Sequence, residues 1–484
     1  MRNLTLLTDL YQLTMGYGFY RQNKHEEEVV FDLFFRKNSL ITYSLAAGLE
    51  QAVEYLLNWH FDDEDIAYLR SLHLFDEDFL SYLKQMKFTG DVYAVREGEP
   101  VFPGEPILTI KAPLIQAQFA ETALLNIINH QTLIATKSSK ICRATKGQGK
   151  VMEFGLRRAQ GPDAGIHGAR AAIIGGCSST SNVLAAQKYG IPAAGTMAHS
   201  WVMDYPTEYE AFKAYAEAYP DNCLLLVDTY DTLRSGMPNA IKVFKELRAK
   251  GHEPKGIRLD SGDLAYLSKE ARKMMDAAGF ENAIVCVSGD LDERSISSLI
   301  AQGAKIGSWG VGTKLITSED LPALGGVYKL SAVIEKDGSI TPKIKLSNNT
   351  AKVTNPAFKK LYRLYDKKSG MAMADLITLK DEVIDEDKPL LLFNPVETWM
   401  EQEVTDFYAE ELQHTIVKDG KLVYEFPSLM EVQAFSKDEL EKFWEEYLRL
   451  DVPQVYKVDL STKLHALKMQ MIEDIRRNTK KGNV

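Results

Sequence analysis

Short apolar runs alternate with amphipathic stretches between about residue 150 and residue 313. The stretches between the runs carry apolar residues at helical spacing, as at 207–218, 237–250, 264–278 and 291–302. Short buried strands that alternate with helices are typical of a parallel sheet. The pattern predicts strands at 151–155, 171–175, 193–197, 223–228, 256–260, 284–288 and 305–309.

Side chains capable of chemistry stand at the C-terminal ends of nearly all these predicted strands. They are Arg157 and Arg158, His199, Asp228 and Asp231, Asp260 and Asp263, Ser288 and Asp290, and Gly310 to Thr313. An open doubly wound sheet places its ligand at one switch point, whereas a ring of parallel strands gathers loops from every strand at one face. The distribution therefore favours an α/β barrel, and a count of seven strands predicts irregular closure.

The chain before the barrel predicts an N-terminal α+β domain at 1–135. A strand pattern at 28–36 precedes helical patterns at 44–59 and 63–85, and residues 90–112 carry short strands broken by Gly and Pro turns. The barrel is predicted to occupy 136–345. Strands after residue 345 are predicted to complete the N-terminal domain.

A C-terminal extension is predicted at 346–484, where the chain becomes more charged and less regular. Residues 414–426 predict a hairpin around an Asp-Gly turn, and residues 429–449 and 461–477 predict helices. The overall fold class predicted is therefore α/β: an irregular barrel, preceded by the α+β domain and followed by this extension.

Composition and charge exclude several classes of protein. The formal net charge of −10 argues against general nucleic-acid binding, which requires a basic face. The four cysteines are widely spaced and form no Cys-x-x-Cys pair, which favours a reducing compartment without structural zinc. The N-terminal apolar run is short and is closed by Asp9, so no signal peptide is expected. No run approaches eighteen apolar residues, so a membrane span is not expected either. These features predict a cytoplasmic protein without membrane or nucleic-acid partners.

Glycines and acids at the strand ends are candidates for phosphate and sugar binding. The loop that contains Gly310, Gly312 and Thr313 could cradle a phosphate through its backbone N–H groups, although a tight turn would explain it equally well. Asp228 and Asp260 could bind ribose hydroxyls or Mg²⁺. Helix capping is the alternative for such acids, and it is the role expected for Asp263.

A basic pair and one histidine complete the candidates. Arg157 and Arg158 follow Phe154, and a guanidinium suits a carboxylate or phosphate while an aromatic face suits a flat ring. One of the two arginines could equally be a solvated surface residue. His199 lies just past an apolar run and could act as a nucleophile or general base, although most histidines do neither.

Several segments in one order resemble the nicotinate phosphoribosyltransferase family. The resemblance extends from the first residues to 455–461. Its motifs are Thr-Asp-Leu-Tyr-Gln-Leu-Thr-Met (8–15), Phe-Asp-Leu-Phe-Phe-Arg (31–36), Glu-Phe-Gly-Leu-Arg-Arg-Ala-Gln-Gly (153–161), Gly-Thr-Met-Ala-His-Ser (195–200), Gly-Ile-Arg-Leu-Asp-Ser-Gly-Asp (256–263) and Gly-Val-Gly-Thr (310–313).

The resemblance implies a reaction and its participants. Nicotinate and phosphoribosyl pyrophosphate would give nicotinate mononucleotide and pyrophosphate, with ATP hydrolysis coupled to turnover. This is a first step of NAD synthesis from nicotinic acid. The resemblance also implies Mg²⁺, whose ligands are not assigned, and a homodimer in which the partner subunit completes each active site.

Residue roles are also implied by the resemblance. His199 would be transiently phosphorylated, and Asp228 would orient its ring. Phe154 and a partner-subunit Tyr11 would sandwich the pyridine ring, while Arg157 or Arg158 would bind its carboxylate. The implied contacts to the phosphoribosyl group and its phosphates are Arg258, Asp260, Ser261, Gly289, Asp290, Gly310, Gly312 and Thr313.

Two alternatives to a nicotinate enzyme remain. Nicotinamide phosphoribosyltransferases place an acid near the amide, whereas residues 178–181 here are Ser-Ser-Thr-Ser, and the arginine pair favours a carboxylate. A quinolinate phosphoribosyltransferase is disfavoured as a third possibility, because the chains of that family are much shorter. A non-catalytic barrel that binds phosphorylated sugars belongs to a different class, and it would have no reason to form phosphohistidine.

Overall fold

Two structural units divide the chain, and the sequence of the second interrupts that of the first. The computed structural model describes residues 3–38, 40, 42–349 and 352–480. The first unit comprises Met1–Thr132 and Ala323–Val484, and the second comprises Leu133–Pro322. The chain thus returns to its first unit at residue 323, earlier than the predicted barrel end at 345.

The helices and strands are numbered in chain order. The α-helices are α1 (Leu10–Arg21), α2 (Leu49–Leu57), α3 (Asp63–Ser71), α4 (Glu77–Gln85), α5 (Leu114–Phe119), α6 (Glu121–Ala144), α7 (Pro162–Ile174), α8 (Val183–Tyr189), α9 (His199–Asp204), α10 (Glu208–Ala218), α11 (Met237–Ala249), α12 (Leu264–Ala277), α13 (Glu293–Ala301), α14 (Thr313–Ile316), α15 (Leu429–Glu441), α16 (Glu445–Leu448) and α17 (Thr462–Lys480).

The strands of the first unit come from both ends of the chain, and those of the second unit from its middle. The strands are β1 (Glu28–Phe35), β2 (Ser44–Leu45), β3 (Asp91–Val95), β4 (Pro100–Val101), β5 (Leu108–Pro113), β6 (Lys150–Glu153), β7 (Ser179–Thr180), β8 (Leu224–Leu226), β9 (Gly256–Leu259), β10 (Ile284–Gly289), β11 (Ser308–Val311), β12 (Gly326–Ile334), β13 (Ile340–Pro342), β14 (Lys359–Asp366), β15 (Ala372–Leu379), β16 (Leu390–Phe393), β17 (Glu401–Val404), β18 (Phe407–Glu411), β19 (Gln413–Lys418), β20 (Lys421–Leu422) and β21 (Val458–Ser461).

Late strands complete the sheet that the N-terminal segment begins. Its order is β13-β12-β1-β5-β3-β19-β20, and β1 pairs antiparallel with both β12 and β5. The strand β12 is responsible for the early return to the first unit, because it pairs along the full length of β1. A second sheet, with six strands, follows the order β17-β16-β21-β15-β14-β18, so the C-terminal region contributes strands as well as the helices α15, α16 and α17.

A buried arginine ties the two ends of the first unit together. Arg363 on β14 is fully buried and donates to both carboxylate oxygens of Asp375, at 2.9 and 2.7 Å. It also donates to Glu99 at 2.6 Å and to the carbonyl oxygen of Pro100 at 2.7 Å. Because a buried charge is tolerated only when it is paired and hydrogen-bonded, this cluster fixes β14 against the N-terminal segment.

The second unit contains a parallel sheet with the connectivity of a barrel. Its order is β7-β6-β11-β10-β9-β8, and every pairing in it is parallel. The first long strand, β6, lies beside the last, β11, and the remaining strands follow in sequence order. Neighbouring strands of a closed barrel follow this order, with the first strand beside the last. The strand order therefore confirms the predicted irregular α/β barrel.

Two of the seven predicted barrel strands were wrong. Residues 171–175 fall at the end of α7, which begins at Pro162 and ends before Gly175. Every residue from Gly168 to Ile174 is buried, and a helix segment buried on all sides gives the same apolar run as a buried strand. Residues 193–197 form no strand; only Ala193 pairs, through a single bridge to Thr180.

One short strand, β7, lies in this part of the chain, between the two segments that were wrongly predicted as strands. In β7 only Ser179 and Thr180 pair with β6, and among the described residues no pairing joins β7 to β8. The ring is therefore interrupted at that point, where residues 193–197 pass. The strands themselves supply the core, through the buried side chains of Leu225, Ile257, Val287, Trp309 and Val311.

Candidate active site

The C-terminal ends of β8, β9 and β10 bring three predicted site residues into contact. These parallel strands end at the same edge, with Leu226 in register with Arg258 and Leu259 in register with Val287. Asp228, Asp260 and Ser288 therefore lie side by side, although about thirty residues separate each from the next.

A hydrogen-bond network joins Arg258, Ser288 and Asp260. Arg258 Nε donates to Ser288 Oγ at 2.8 Å, and Arg258 Nη2 donates to Asp260 Oδ1 at 2.9 Å. The Ser288 hydroxyl in turn donates to the same Asp260 oxygen. Burial alone would raise the pKa of Asp260, but the hydrogen bond from Ser288 and the charge of Arg258 outweigh it and hold that pKa below its ordinary value.

Further contacts commit the Arg258 guanidinium to the protein. Its Nη1 lies 3.4 Å from Thr196 Oγ1 and 3.3 Å from the carbonyl oxygen of Met197. Its central carbon also lies 5.9 Å from the centroid of the Phe154 ring. Because most of its donors already have acceptors, Arg258 offers a ligand mainly its fixed positive charge.

One carboxylate oxygen of Asp228 is hydrogen-bonded, and the other is buried without a partner among the described residues. Its side chain is only 2% exposed, and its Oδ2 accepts from the backbone N–H of Asp260 at 2.7 Å and from the Ser261 hydroxyl at 2.8 Å. Its buried Oδ1 has no hydrogen-bond partner among the described residues. Ser261, predicted as a phosphoribosyl contact, thus holds Asp228 in place.

His199 faces both carboxylates. The residue begins α9, and its side chain is 39% exposed. Its Nε2 lies 4.0 Å from Asp228 Oδ1 and 3.9 Å from Asp260 Oδ2, beyond direct hydrogen-bond length. Its Nδ1 lies 3.1 Å from the hydroxyl oxygen of Thr229. Thr229 was missed from the sequence, although it follows Asp228 directly, because threonines are too common to signal a role.

Gly310 in β11 and Gly312 directly after it have a packing role that the sequence did not predict. A Cβ at Gly310 would lie 2.6 Å from a ring carbon of Phe154, and one at Gly312 would lie 3.1 Å from the Phe154 carbonyl oxygen. Side chains at either position would push Phe154 away from β11. Thr313 begins the short helix α14 directly after them.

The loop after β10 needs a glycine for a different reason. Gly289 has a φ of +118°, in the region that L-residues rarely adopt, and a Cβ there would meet the carbonyl oxygen of Asp260 at 3.0 Å. Asp290 follows it and is exposed. Asp292, which caps α13, joins this loop to α14 through an ion pair with Lys314 at 3.0 Å.

The turn after β6 exposes the arginine pair. Residues Leu156–Arg158 form one turn of 3₁₀ helix, and both Arg157 and Arg158 are exposed. In the described ranges neither guanidinium has an ion-pair or hydrogen-bond partner, so both have N–H groups available to bind an anion. Phe154 lies directly before this turn, between Gly310 and Arg258.

Tyr11 belongs to the first unit. It lies on α1, is 47% exposed, and places its hydroxyl 3.4 Å from Glu121 Oε2. Partial burial, followed by the nearby charge of Glu121, raises its pKa. Leu7, Leu10 and Met15 on the same N-terminal segment are also exposed.

A metal site built wholly from protein is not found in the part of the chain that the structure describes, since no three His, Cys, Asp or Glu side chains cluster suitably there. None of the described helices combines the length and apolar character that crossing a membrane requires. All four cysteines are free thiols.

The fold and the cluster define a class of protein: an α/β barrel that gathers charged and hydroxyl side chains at the C-terminal ends of its strands. Three family models match successive parts of the chain. They are the nicotinate phosphoribosyltransferase N-terminal domain at residues 6–129, the nicotinate phosphoribosyltransferase family at 149–368 and the C-terminal domain of the same enzyme at 358–468.

Relatives extend the match over the whole chain. A nicotinate phosphoribosyltransferase of Bacillus subtilis is 50% identical over 475 residues, covering 98% of this chain and 96% of that protein. One from Dictyostelium discoideum is 36% identical over 95% of this chain and 86% of its own. The crystal structure of human nicotinic acid phosphoribosyltransferase matches with a TM-score of 0.86 at 31% identity, covering 96% of this chain and 99% of that one. This chain belongs to the nicotinate phosphoribosyltransferase family.

Proposed function

We propose that this chain transfers the phosphoribosyl group of phosphoribosyl pyrophosphate to nicotinate, releasing pyrophosphate. The observation that carries the proposal is the convergence of His199, Asp228, Asp260 and Arg258 at one edge of the barrel sheet, in a chain that is 50% identical to a nicotinate phosphoribosyltransferase. The product, nicotinate mononucleotide, would enter NAD synthesis.

The charges of the cluster suit this transfer. The anomeric carbon becomes positively charged as pyrophosphate leaves, so the site must hold a hydroxyl-bearing sugar and stabilise a leaving anion. Asp260, kept ionised by Arg258 and Ser288, can accept hydrogen bonds from ribose hydroxyls through its outward Oδ2. Arg258 supplies positive charge, and the loops after β10 and β11 offer backbone N–H groups to phosphate.

Mg²⁺ fits this site if the substrate provides most of its ligands. Magnesium in phosphate-transfer sites is usually held by one or two carboxylates together with substrate phosphates. Asp228 Oδ1, buried and without a partner, and Asp260 Oδ2 both face the same space beside His199. These two oxygens would hold the ion, which would neutralise charge on the departing pyrophosphate.

ATP coupling through His199 is the second part of the proposal. A ring nitrogen of His199 would attack the γ-phosphorus of ATP, forming a P–N bond as ADP leaves, and water would later break that bond to release phosphate. The contact of Thr229 with Nδ1 fixes the ring, so that Nε2 faces the two carboxylates. Such an orientation stabilises positive charge on the imidazole ring.

A homodimer with shared active sites is supported by exposed apolar side chains. In the second unit they occur on segments that follow the C-terminal ends of several barrel strands: Leu156, Val183, Leu184, Met203, Tyr230 and Tyr266. The first unit exposes Leu10, Tyr11 and Met15 on α1. Exposed apolar patches mark interaction surfaces. We propose that a second copy of the chain covers these side chains and that Tyr11 serves its partner's site.

Ring specificity is proposed to come from the exposed arginine pair. One of Arg157 and Arg158 would bind the nicotinate carboxylate, with Phe154 beside the ring. No acid lies within the Ser178–Ser181 segment to favour an amide instead. The free thiols and the absence of a membrane-spanning helix among the described residues are compatible with the proposed cytoplasmic location.

A turnover assay tests the main proposal. Purified protein would be given phosphoribosyl pyrophosphate and Mg²⁺ with either nicotinate or nicotinamide, with and without ATP, and mononucleotide and ADP would be quantified. We expect nicotinate mononucleotide, with ADP formed in step with it. Preference for nicotinamide would assign the related amide enzyme, and tight binding of the sugar phosphate without turnover would assign a non-catalytic barrel.

A further inference from the structure

A buried carboxylate lies directly beneath the turn that carries Phe154 and the arginine pair. Glu153 is the last residue of β6, and its side chain is fully buried. Its Oε1 accepts from the backbone N–H of Gly155, and its Oε2 accepts from the Thr180 hydroxyl at 2.5 Å. Across the described ranges it has no cationic partner.

The two donors that Glu153 holds belong to different loops of the site. Gly155 opens the 3₁₀ turn, where the N–H of Arg158 donates to the Gly155 carbonyl oxygen at 2.7 Å. Thr180 ends β7, and its Oγ1 accepts from the N–H of Asn182 at 3.0 Å. One carboxylate therefore joins the arginine turn to the loop that leads into α8.

Asn182 extends this connection to two helices. Its side-chain oxygen accepts from the N–H of Ala185 and caps α8, and its side-chain nitrogen donates to the carbonyl oxygen of Gly165 in α7 at 3.1 Å. The chain that leaves Arg158 enters α7 at Pro162. The start of the arginine turn is therefore hydrogen-bonded directly to the Glu153 carboxylate through Gly155. The helix that follows the turn is connected to the same carboxylate through Asn182 and Thr180.

Packing leaves the turn little freedom to compensate. A Cβ at Gly155 would lie 2.4 Å from Cβ of Ile316 and 2.9 Å from Glu153 Oε1, so the backbone of Gly155 is held between the two. A buried acid without a cation is costly unless hydrogen bonds replace its water, and only a side chain with two divergent acceptors satisfies both donors. Burial raises the pKa of Glu153, although the two hydrogen bonds oppose that change. The two hydrogen bonds therefore make the Glu153 carboxylate tolerable at this buried position.

We propose that Glu153 is a positioning residue for the pyridine substrate. Its carboxylate, through its hydrogen bonds to Gly155 and Thr180, fixes the positions of Phe154 and of the arginine pair relative to the bound ring. Glu153 does not touch the substrate in this role. The inference rests on the proposed placement of the nicotinate ring at Phe154 and its carboxylate at Arg157 or Arg158.

Substitutions at both ends of the Glu153–Thr180 bond test the inference. Glu153→Gln retains one acceptor, Glu153→Ala removes both, Thr180→Val removes the hydroxyl with little change of shape, and Thr180→Ser restores it. Ser268→Ala is the matched control, because Ser268 is a fully buried hydroxyl of the same unit whose partners among the described residues are the backbone of Ala265 and of Lys305. Steady-state KM and kcat would be measured for each substrate, together with Tm.

We expect Thr180→Val and Glu153→Ala to raise the KM for nicotinate about tenfold or more, as loss of a hydrogen bond to a buried carboxyl group predicts. Glu153→Gln should have a smaller effect, and Thr180→Ser should return KM to near the parental value. The KM for phosphoribosyl pyrophosphate should stay close to that of Ser268→Ala, and Tm would establish that each variant is folded at the assay temperature. Equal changes for both substrates, or none for nicotinate, would overturn the positioning role.

Failure of the underlying ring placement would look different. Alanine variants of Arg157 and Arg158 that leave nicotinate selectivity unchanged would remove the arginines from ring binding. If Thr180→Val still raised the nicotinate KM alone, Glu153 would retain its role through Phe154. If neither set of variants affected nicotinate, the positioning inference itself would be refuted.

Discussion

Replacing Ser288 by alanine should weaken the site at Asp260 while leaving the barrel folded. The Ser288 side chain is almost fully buried, and its hydroxyl accepts from Arg258 Nε at 2.8 Å and donates to Asp260 Oδ1. Alanine removes one oxygen atom and leaves both charged partners with an unmade bond. Arg258 Nη2 would still reach Asp260 at 2.9 Å, so the pair would loosen rather than separate.

The expected magnitude follows from the bonds lost. A hydrogen bond to an ionised group contributes ~1.5–3 kcal/mol, and ~1.4 kcal/mol corresponds to a factor of ten. Because Asp260 is proposed to bind the ribose, the loss should appear in kcat/KM for phosphoribosyl pyrophosphate, as a decrease of about ten- to a hundredfold. The KM for nicotinate should change little.

Steady-state kinetics with each substrate varied in turn would measure the effect, with Ser268→Ala as the control for loss of a buried hydroxyl. Thermal unfolding would establish that both variants are folded. If Ser288→Ala kept the parental kcat/KM for phosphoribosyl pyrophosphate, the network would not support sugar binding, and Asp260 would need another role.

Three further predictions concern residues whose roles the sequence suggested. Labelled ATP should leave acid-labile, base-stable phosphate on the parent but not on His199→Asn; parental labelling of that variant would place the phosphate elsewhere. Arg157→Ala or Arg158→Ala should lower nicotinate efficiency far more than nicotinamide efficiency, by ~1.5–3 kcal/mol for loss of a charge-assisted bond, and an unchanged ratio in both variants would make the pair structural. Mixing inactive Tyr11→Ala and His199→Ala should restore some activity after subunit exchange, whereas no recovery would contradict shared sites.

The sequence predicted the barrel because its periodicity is local. Alternation of apolar runs with helical stretches depends only on neighbouring residues, and it located five strands of the described barrel sheet. It failed at 171–175, where a helix is buried on all sides, and at 193–197, where only Ala193 pairs, through one bridge. In both places tertiary surroundings, rather than local pattern, decide the structure.

The candidate site was predictable where the chemistry of a residue is distinctive. His199, Asp228 and Asp260 combine reactive side chains with positions at the ends of apolar runs, whereas Arg258 was indicated only by the family resemblance; the structure brings the four together. The contributions of residues such as Thr229 and Ser288 depend on which strands become neighbours and in what register. Hydroxyl residues occur everywhere in a sequence, so Ser288 was indicated only by its position at a strand end and Thr229 by no local signal.

Glu153 was hidden for a related reason. It was read as part of a strand and a motif, and its burial, its two donors and the distant partner Thr180 are properties of the fold. The roles of Arg157, Arg158 and Tyr11 remain predictions, because they depend on a bound ring and on a second subunit.

The divided first unit has a consequence for how the chain acquires its structure. The second unit is one continuous segment, whereas β1 must find β12 about three hundred residues later, and Arg363 reaches Glu99 across 264 residues. Contacts so distant in sequence form slowly, because a long loop must close before they contribute. During synthesis, the middle segment can therefore complete its barrel while β1, β3 and β5 still lack their neighbours. The last third of the chain is thus the folding partner of the first, and a chain cut after Pro322 would be left with an unfinished sheet rather than a shortened enzyme.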